Sequence, residues 1–175
     1  MTDDLRFPIG PFVSSPAPLD AAERRRAIEA VSQAPAALRA AVRDLADEQL
    51  DTPYRPGGWT VRQVVHHLPD SHVNAYTRLK LALTENRPTI RTYEEARWAE
   101  LPDSGAPIDL SLDLLDFLHR RWTYLWERLP DDAWGRPFDH PDLGAMRVDQ
   151  LLALYAWHGQ HHVAHITTLR KRKGW

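Results

Sequence analysis

Apolar residues fall at helical spacing in four stretches, separated by connections rich in proline and glycine. The first runs Ile28, Val31, Pro35, Leu38, Val42, Leu45, alternating steps of three and four that mark a bundle seam. Asp20 stands before it as an N-cap, with Glu23 placed to complete a capping box. Pro35 removes a backbone donor and crowds the preceding turn, so a kink is expected there. The second helix opens at Thr60 with Gln63 as its box partner, buries Val61, Val64, Leu68, Ala75 and Leu79, and should end near Asn86. Pro69 predicts a bend within it. The third pattern is Leu115, Leu118, Trp122, Leu125, Leu129, with Asp109 or Ser111 as cap. The fourth helix starts near Val148, with Asp149 in its first turn, and carries Val148, Leu151, Tyr155 and Leu169 on one stripe. It ends in Arg170-Lys171-Arg172-Lys173-Gly174, a basic run and glycine that suit a helix C-terminus rather than a nucleic-acid patch.

The connections carry as much information as the helices. Residues 1–19, with Pro8, Pro11, Pro16 and Pro18, read as an extended arm lying on the domain. Residues 46–59 form a linker ending Pro56-Gly57-Gly58-Trp59. Helices two and three are separated by more than twenty residues, where roughly 2–8 is usual between antiparallel neighbours. Such a connection can travel the length of the bundle, so helices two and three can run parallel. Within it, Glu94 to Leu101 predicts a short helix, and long connections of this kind often cover an active site. Residues 130–147 form a second long connection, with a turn or short hairpin over Phe138 to Gly144 and His140 as a loop residue. The expectation is an all-α chain, residues 1–175 forming one four-helix-bundle domain.

Composition narrows the functional classes. Lys plus Arg number 22 against 24 Asp plus Glu, a net charge of −2, which gives no electrostatic case for nucleic acid. No run of apolar residues is long enough to span a membrane. The N-terminus, M-T-D-D-L-R-F-P, is acidic and polar, unlike a secretory signal, and cysteine is absent; both fit a cytoplasmic protein. The lack of cysteine excludes disulfides, thiolate ligands and a cysteine nucleophile.

The candidate chemistry sits in Trp157 to Ile166, W-H-G-Q-H-H-V-A-H-I, which holds four of the nine histidines. On a helix, His158, His162 and His165 share the stripe of Leu151, Tyr155 and Leu169. Imidazole is a poor core filler, because both ring nitrogens need partners once buried. The bland reading is one or two hydrogen-bonded core histidines. Three on one stripe point instead to a shared divalent metal ion, with His-x-x-x-His placing two rings within reach of it. One helix supplies only two ligands comfortably, so a third should come from elsewhere. On helix two, His67 flanks the buried stripe, whereas His66 points nearly opposite; His72 reads as a satisfied core histidine. Asp70, one turn from His67, is a candidate base or orienting group, or a solvated carboxylate.

W-T-V-R-Q-V-V-H-H-L-x-D-S-H (Trp59 to His72) and W-H-x-x-H-H-x-A-H-I (Trp157 to Ile166) resemble the DinB/YfiT-like superfamily, most closely its YfiT branch. The likeness extends to L-D-T-P-Y-R-x-G-G-W (Leu50 to Trp59), L-H-x-R-W-T (Leu118 to Thr123) and F-P-I-G (Phe7 to Gly10). The resemblance implies a four-helix bundle of up-down-down-up topology and one divalent ion per chain, held by His67, His158 and His162. The stripe alone leaves His165 as an alternative to one of these. Pro69 departs from the related pattern, which usually has a small helix former there.

Three imidazoles leave coordination positions open, which suits chemistry better than a closed structural site. The leading expectation is a metal-dependent hydrolase acting on a small molecule, with zinc as the first candidate metal, nickel as the second, and Asp70 and His165 as candidate catalytic groups. The resemblance also admits a metal-dependent transferase using a low-molecular-weight thiol such as bacillithiol, or a non-enzymatic, stress-related metal-binding protein. No H-E-x-x-H glutamate is present to act as a zincin base. A homodimer is expected from the resemblance and from the aromatic surplus, seven tryptophans among 175 residues.

Overall fold

The computed structural model describes residues 5–175; the first four residues of the N-terminal arm lie outside it. Four long helices carry the architecture: α1 (Ala21–Ala41), α3 (Val61–Thr84), α5 (Ile108–Trp126) and α6 (Val148–Lys173). Two single-turn helices, α2 (Asp47–Leu50) and α4 (Glu95–Trp98), lie in the connections, and a hairpin of β1 (Pro137–His140) and β2 (Gly144–Arg147) leads into α6.

The starts of α1 and α3 follow from local chemistry. Asp20 accepts from the Glu23 N–H at 2.8 Å while Glu23 accepts from the Asp20 N–H at 2.8 Å. Thr60 and Gln63 repeat the exchange at 3.1 and 3.0 Å. Each box satisfies two backbone donors that a helix start otherwise leaves open. Both helices continue through their prolines, Pro35 and Pro69, which are buried. α1 stops at Ala41, so Leu45 of the predicted seam lies beyond it. α3 stops at Thr84, two residues before the expected Asn86.

The cap of α5 differs from expectation: Pro107 precedes it, and neither Asp109 nor Ser111 caps it. Ser111 is instead buried. The buried stripe also shifts, to Leu112, Leu115, His119, Trp122 and Trp126, leaving Leu118 and Leu125 only partly buried. α6 ends on Gly174 at φ 73°, a left-handed C-cap that glycine adopts without Cβ strain.

Two apolar clusters reveal the helix directions. One gathers Val31 from α1, Ala75, Leu79 and Ala82 from α3, Trp122 and Trp126 from α5, and Val148, Leu151, Leu152 and Tyr155 from α6. The other gathers Leu38 and Ala41, then Val61, Val64, Val65 and Leu68, then Leu112 and Leu115, and finally Ile166 and Leu169. Along α1 and α6 the chain passes from the first cluster to the second; along α3 and α5 it passes back. The topology is therefore up-down-down-up, with α3 and α5 parallel. α1 packs on α5 and α6, and α3 packs on the same two, so α1 and α3 are diagonal.

Parallel α3 and α5 need a connection that returns the length of the bundle, and residues 85–107 provide it. The hairpin pins this connection near its start. Ile90 N–H donates to the Asp139 carbonyl and Asp139 N–H to that of Pro88, both at 2.9 Å, while Arg87 grips the Asp139 carboxylate with two bonds of 3.0 Å. No helix is long and apolar enough to cross a membrane among the described residues. The described part of the arm is tied to the start of α6: Leu19 N–H donates to the buried Asp149 carboxylate at 2.8 Å, and the Arg147 guanidinium donates to the carbonyls of Pro16 and Ala17.

Candidate metal centre

Between the two apolar clusters lies a layer of buried histidines. On each long helix the break falls at the same level: Leu68 to Ala75 on α3, Leu115 to Trp122 on α5, Tyr155 to Ile166 on α6. Into this gap project His67 and His72, His119, and His158, His161, His162 and His165. Their ring planes pack at centroid separations of 4.3–5.4 Å between neighbours.

His67, His158 and His162 each offer one ring nitrogen, and these three atoms lie within 4.8 Å of one another. His67 Nε2 and His158 Nε2 face each other at 3.4 Å. His67 and His162 are buried, and His158 retains partial exposure. Trp59, the last residue before the Thr60 cap, leans over His67 with centroids 4.6 Å apart and stacks toward His162 at 6.4 Å. The linker that ends in Gly58-Trp59 therefore helps wall the cluster. The donor set suits a divalent ion of borderline softness.

Electrostatics favours the ligand form of these rings. Burial pushes His67 down to about 4, and burial followed by the neighbouring imidazoles pushes His158 and His162 well below the ordinary histidine value. At neutral pH the three rings are uncharged and each has a lone pair to offer.

The other sequence candidates fall into distinct places. His165 is buried with both nitrogens engaged, Nε2 at 3.1 Å from the Arg6 carbonyl and Nδ1 at 3.4 Å from His162 Nδ1. Tyr54 stacks on it at 4.0 Å. His72 is fully buried and bonded, as expected of a core histidine, but its partners are His158 and His119. Asp70 is half-buried and not among the converging ligand atoms; burial, then the Asp103 charge, raises its carboxyl to about 6. His66 points away from the stripe's centre and is nonetheless buried, with Nδ1 2.7 Å from Ser111 Oγ and Nε2 3.0 Å from the Ala106 carbonyl, because the returning connection covers that face of α3. His140 caps its own hairpin turn, Nδ1 accepting from the N–H of Asp142 at 3.2 Å.

Sequence reasoning did not single out His119 and Arg78. His119 stands at helical spacing between Leu115 and Trp122, the signal that could have found it. Arg78 is buried with no carboxylate partner among the described residues, its guanidinium donating to the Arg91 carbonyl at 2.9 Å and the Tyr155 hydroxyl at 3.4 Å. Asn74, one turn beyond Asp70, lines a cleft with Arg91, Tyr93, Arg97 and Trp98 of the long connection. That cleft offers polar groups of both charges and aromatic walls to a small molecule.

Residues 30–166 match the DinB superfamily. A protein of Bacillus cereus named "Putative metal-dependent hydrolase" is 52% identical over 173 residues, covering 99% of each chain. A Bacillus anthracis (strain A0248) protein of the same name is 51% identical over 173 residues, again covering 99% of each. Among solved structures, YfiT from Bacillus subtilis, described as a probable metal-dependent hydrolase with an unusual four-helix bundle topology, aligns with a TM-score of 0.95 at 48% identity, covering 98% of this chain and 99% of that one.

Proposed function

The chain belongs to the DinB superfamily, and on that premise we propose that it is a metal-dependent hydrolase whose ion is held by His67, His158 and His162. The observation that carries the reading is the convergence of three uncharged imidazole nitrogens within 4.8 Å of one another. These three residues would hold a divalent ion, zinc first and nickel second, which would supply Lewis acidity at a carbonyl or phosphoryl oxygen.

The chain's own residues supply the rest. Asp70 follows His67 by one turn, so the two side chains lie on neighbouring parts of one face of α3. Held at about 6, its carboxylate is ionised at neutral pH yet basic enough to accept a proton from an attacking water. We assign it the base. His165 has no free nitrogen and is better placed to orient His162 than to meet substrate. The cleft along Asn74, Tyr93 and Trp98 would receive a small polar substrate.

The outer face of α5 supports a homodimer. Leu110, Leu114, Phe117 and Tyr124 form one stripe, each more than half exposed.

The reading is tested on untagged protein by metal analysis and by turnover of an ester, amide and phosphoester panel with and without a low-molecular-weight thiol. Thiol-free, metal-dependent hydrolysis is expected. Turnover that saturates with thiol and vanishes without it would overturn the hydrolase reading in favour of thiol transfer.

A further inference from the structure

Two files of hydrogen-bonded rings lead away from the α6 ligands, and each ends on a backbone carbonyl. In the first, His158 Nδ1 lies 3.0 Å from His72 Nε2, His72 Nδ1 lies 2.6 Å from His119 Nε2, and His119 Nδ1 lies 2.6 Å from the Val31 carbonyl oxygen. In the second, His162 Nδ1 lies 3.4 Å from His165 Nδ1, and His165 Nε2 lies 3.1 Å from the Arg6 carbonyl oxygen. The first crosses from α6 through α3 and α5 to α1. The second crosses from α6 to the N-terminal arm.

A carbonyl oxygen only accepts, so the ring nitrogen facing it must carry the hydrogen. A neutral imidazole has a single N–H, so its other nitrogen must accept. The assignment then propagates. The Val31 carbonyl fixes the His119 proton on Nδ1, leaving Nε2 to accept from His72 Nδ1; His72 Nε2 accepts in turn from His158 Nδ1. The Arg6 carbonyl fixes the His165 proton on Nε2, leaving its Nδ1 to accept from His162 Nδ1. Both files end with a proton on Nδ1 of the α6 ring and none on its Nε2. The His158 Nε2 so bared is the atom that faces His67.

These proton positions require uncharged rings, since a doubly protonated imidazole could donate in either direction. Burial supplies the condition: His72 is 0% and His119 2% exposed. His119 is pushed to about 4, mainly by desolvation.

We infer that the carbonyls of Val31 and Arg6, acting through His72–His119 and through His165, set the tautomers of His158 and His162 and hold both Nε2 lone pairs ready for the ion. His72, His119 and His165 are thus positioning residues. The purpose of the device rests on the metal-centre reading above; the proton assignment does not.

The test is nitrogen-15 NMR of histidine rings in the metal-free protein, read beside zinc affinity measured by chelator competition. In the wild type, His72, His119, His158 and His162 should show the hydrogen on Nδ1, and His165 on Nε2. His119→Leu and His165→Leu each break one file. Each should scramble the tautomer of its own α6 ring only, and each should lower zinc affinity about 10–100-fold. Glutamine offers one acceptor and one donor in place of the two ring nitrogens, so His119→Gln and His165→Gln should restore both readouts. The files are separate, so a failure of one leucine variant to fold leaves the other to decide. Wild-type His158 or His162 carrying hydrogen on Nε2 would overturn the inference, as would leucine variants with unchanged tautomers and affinity. A wild type with the assigned tautomers but no zinc binding would support the relays while sinking the metal-centre reading.

Discussion

Gly159 of α6 packs so closely on Ala34 of α1 that a Cβ added to it would lie 3.1 Å from the Ala34 Cβ. Glycine inside a helix costs about 1 kcal/mol relative to alanine, so close helix approach is the compensating reason for it here. Gly159 directly follows His158, so a change at this contact should shift that side chain within the bundle. Gly159→Val should wedge α6 from α1, lowering stability by about 1–3 kcal/mol and weakening metal binding. Urea denaturation and chelator competition on the same variant check both effects.

The metal-free protein should lose stability on mild acidification. His119 faces His72 of α3, the Val31 carbonyl of α1, and the Trp122 ring and Asp116 charge of its own helix. Its folded value of about 4 lies below the ordinary 6.5. Between those limits the unfolded chain binds a proton that the fold refuses, so its contribution is complete above about pH 6.5 and lost toward pH 4. The shift corresponds to about 3 kcal/mol at most. Denaturation at pH 7 and 4.5 should show His119→Gln losing about 2–3 kcal/mol less than wild type over that interval. Equal losses would contradict the assignment.

Asp70→Asn separates chemistry from binding. It should leave metal content unchanged and reduce turnover by roughly 10²–10⁴-fold, the range expected for a positioned base. The same change removes a half-buried charge that sits near Asp103. The folded carboxyl is raised, so ionising it at pH 7 costs stability, and after allowance for solvent screening the variant should gain about 1 kcal/mol. Unchanged turnover with full metal content would remove Asp70 from the mechanism.

Phe117 is 66% exposed within the α5 stripe. Phe117→Glu should turn a dimer into a monomer by light scattering with metal content intact. A wild type that is monomeric at high concentration would refute the interface.

Much of the fold was legible because its signals are local. The capping boxes at Asp20–Glu23 and Thr60–Gln63 and the seams through Val31 and Leu68 need only sequence neighbours. The length of the residue 85–107 connection announced that α3 and α5 run parallel. The cap of α5 escapes a local reading because Ser111, a good capping residue by type, is taken up by His66 across the chain. His66 escapes it for the reciprocal reason: periodicity knows which way a side chain points but not what the connection lays over it. At the candidate site, helical spacing narrowed the ligands to His67 and two of His158, His162 and His165; the family resemblance chose His158 and His162, and the fold brings the nitrogens of that set together. The roles of His72 and His119 stayed hidden because each depends on partners 47 or more residues away.

The central claim is most directly tested by titrating cobalt(II) into metal-free, untagged protein and following its visible absorption to the end point. The account predicts one ion per chain, a spectrum of nitrogen and oxygen ligands, and loss of tight binding in each of His67→Ala, His158→Ala and His162→Ala. Full stoichiometric binding in His158→Ala, with the wild-type spectrum, would contradict it.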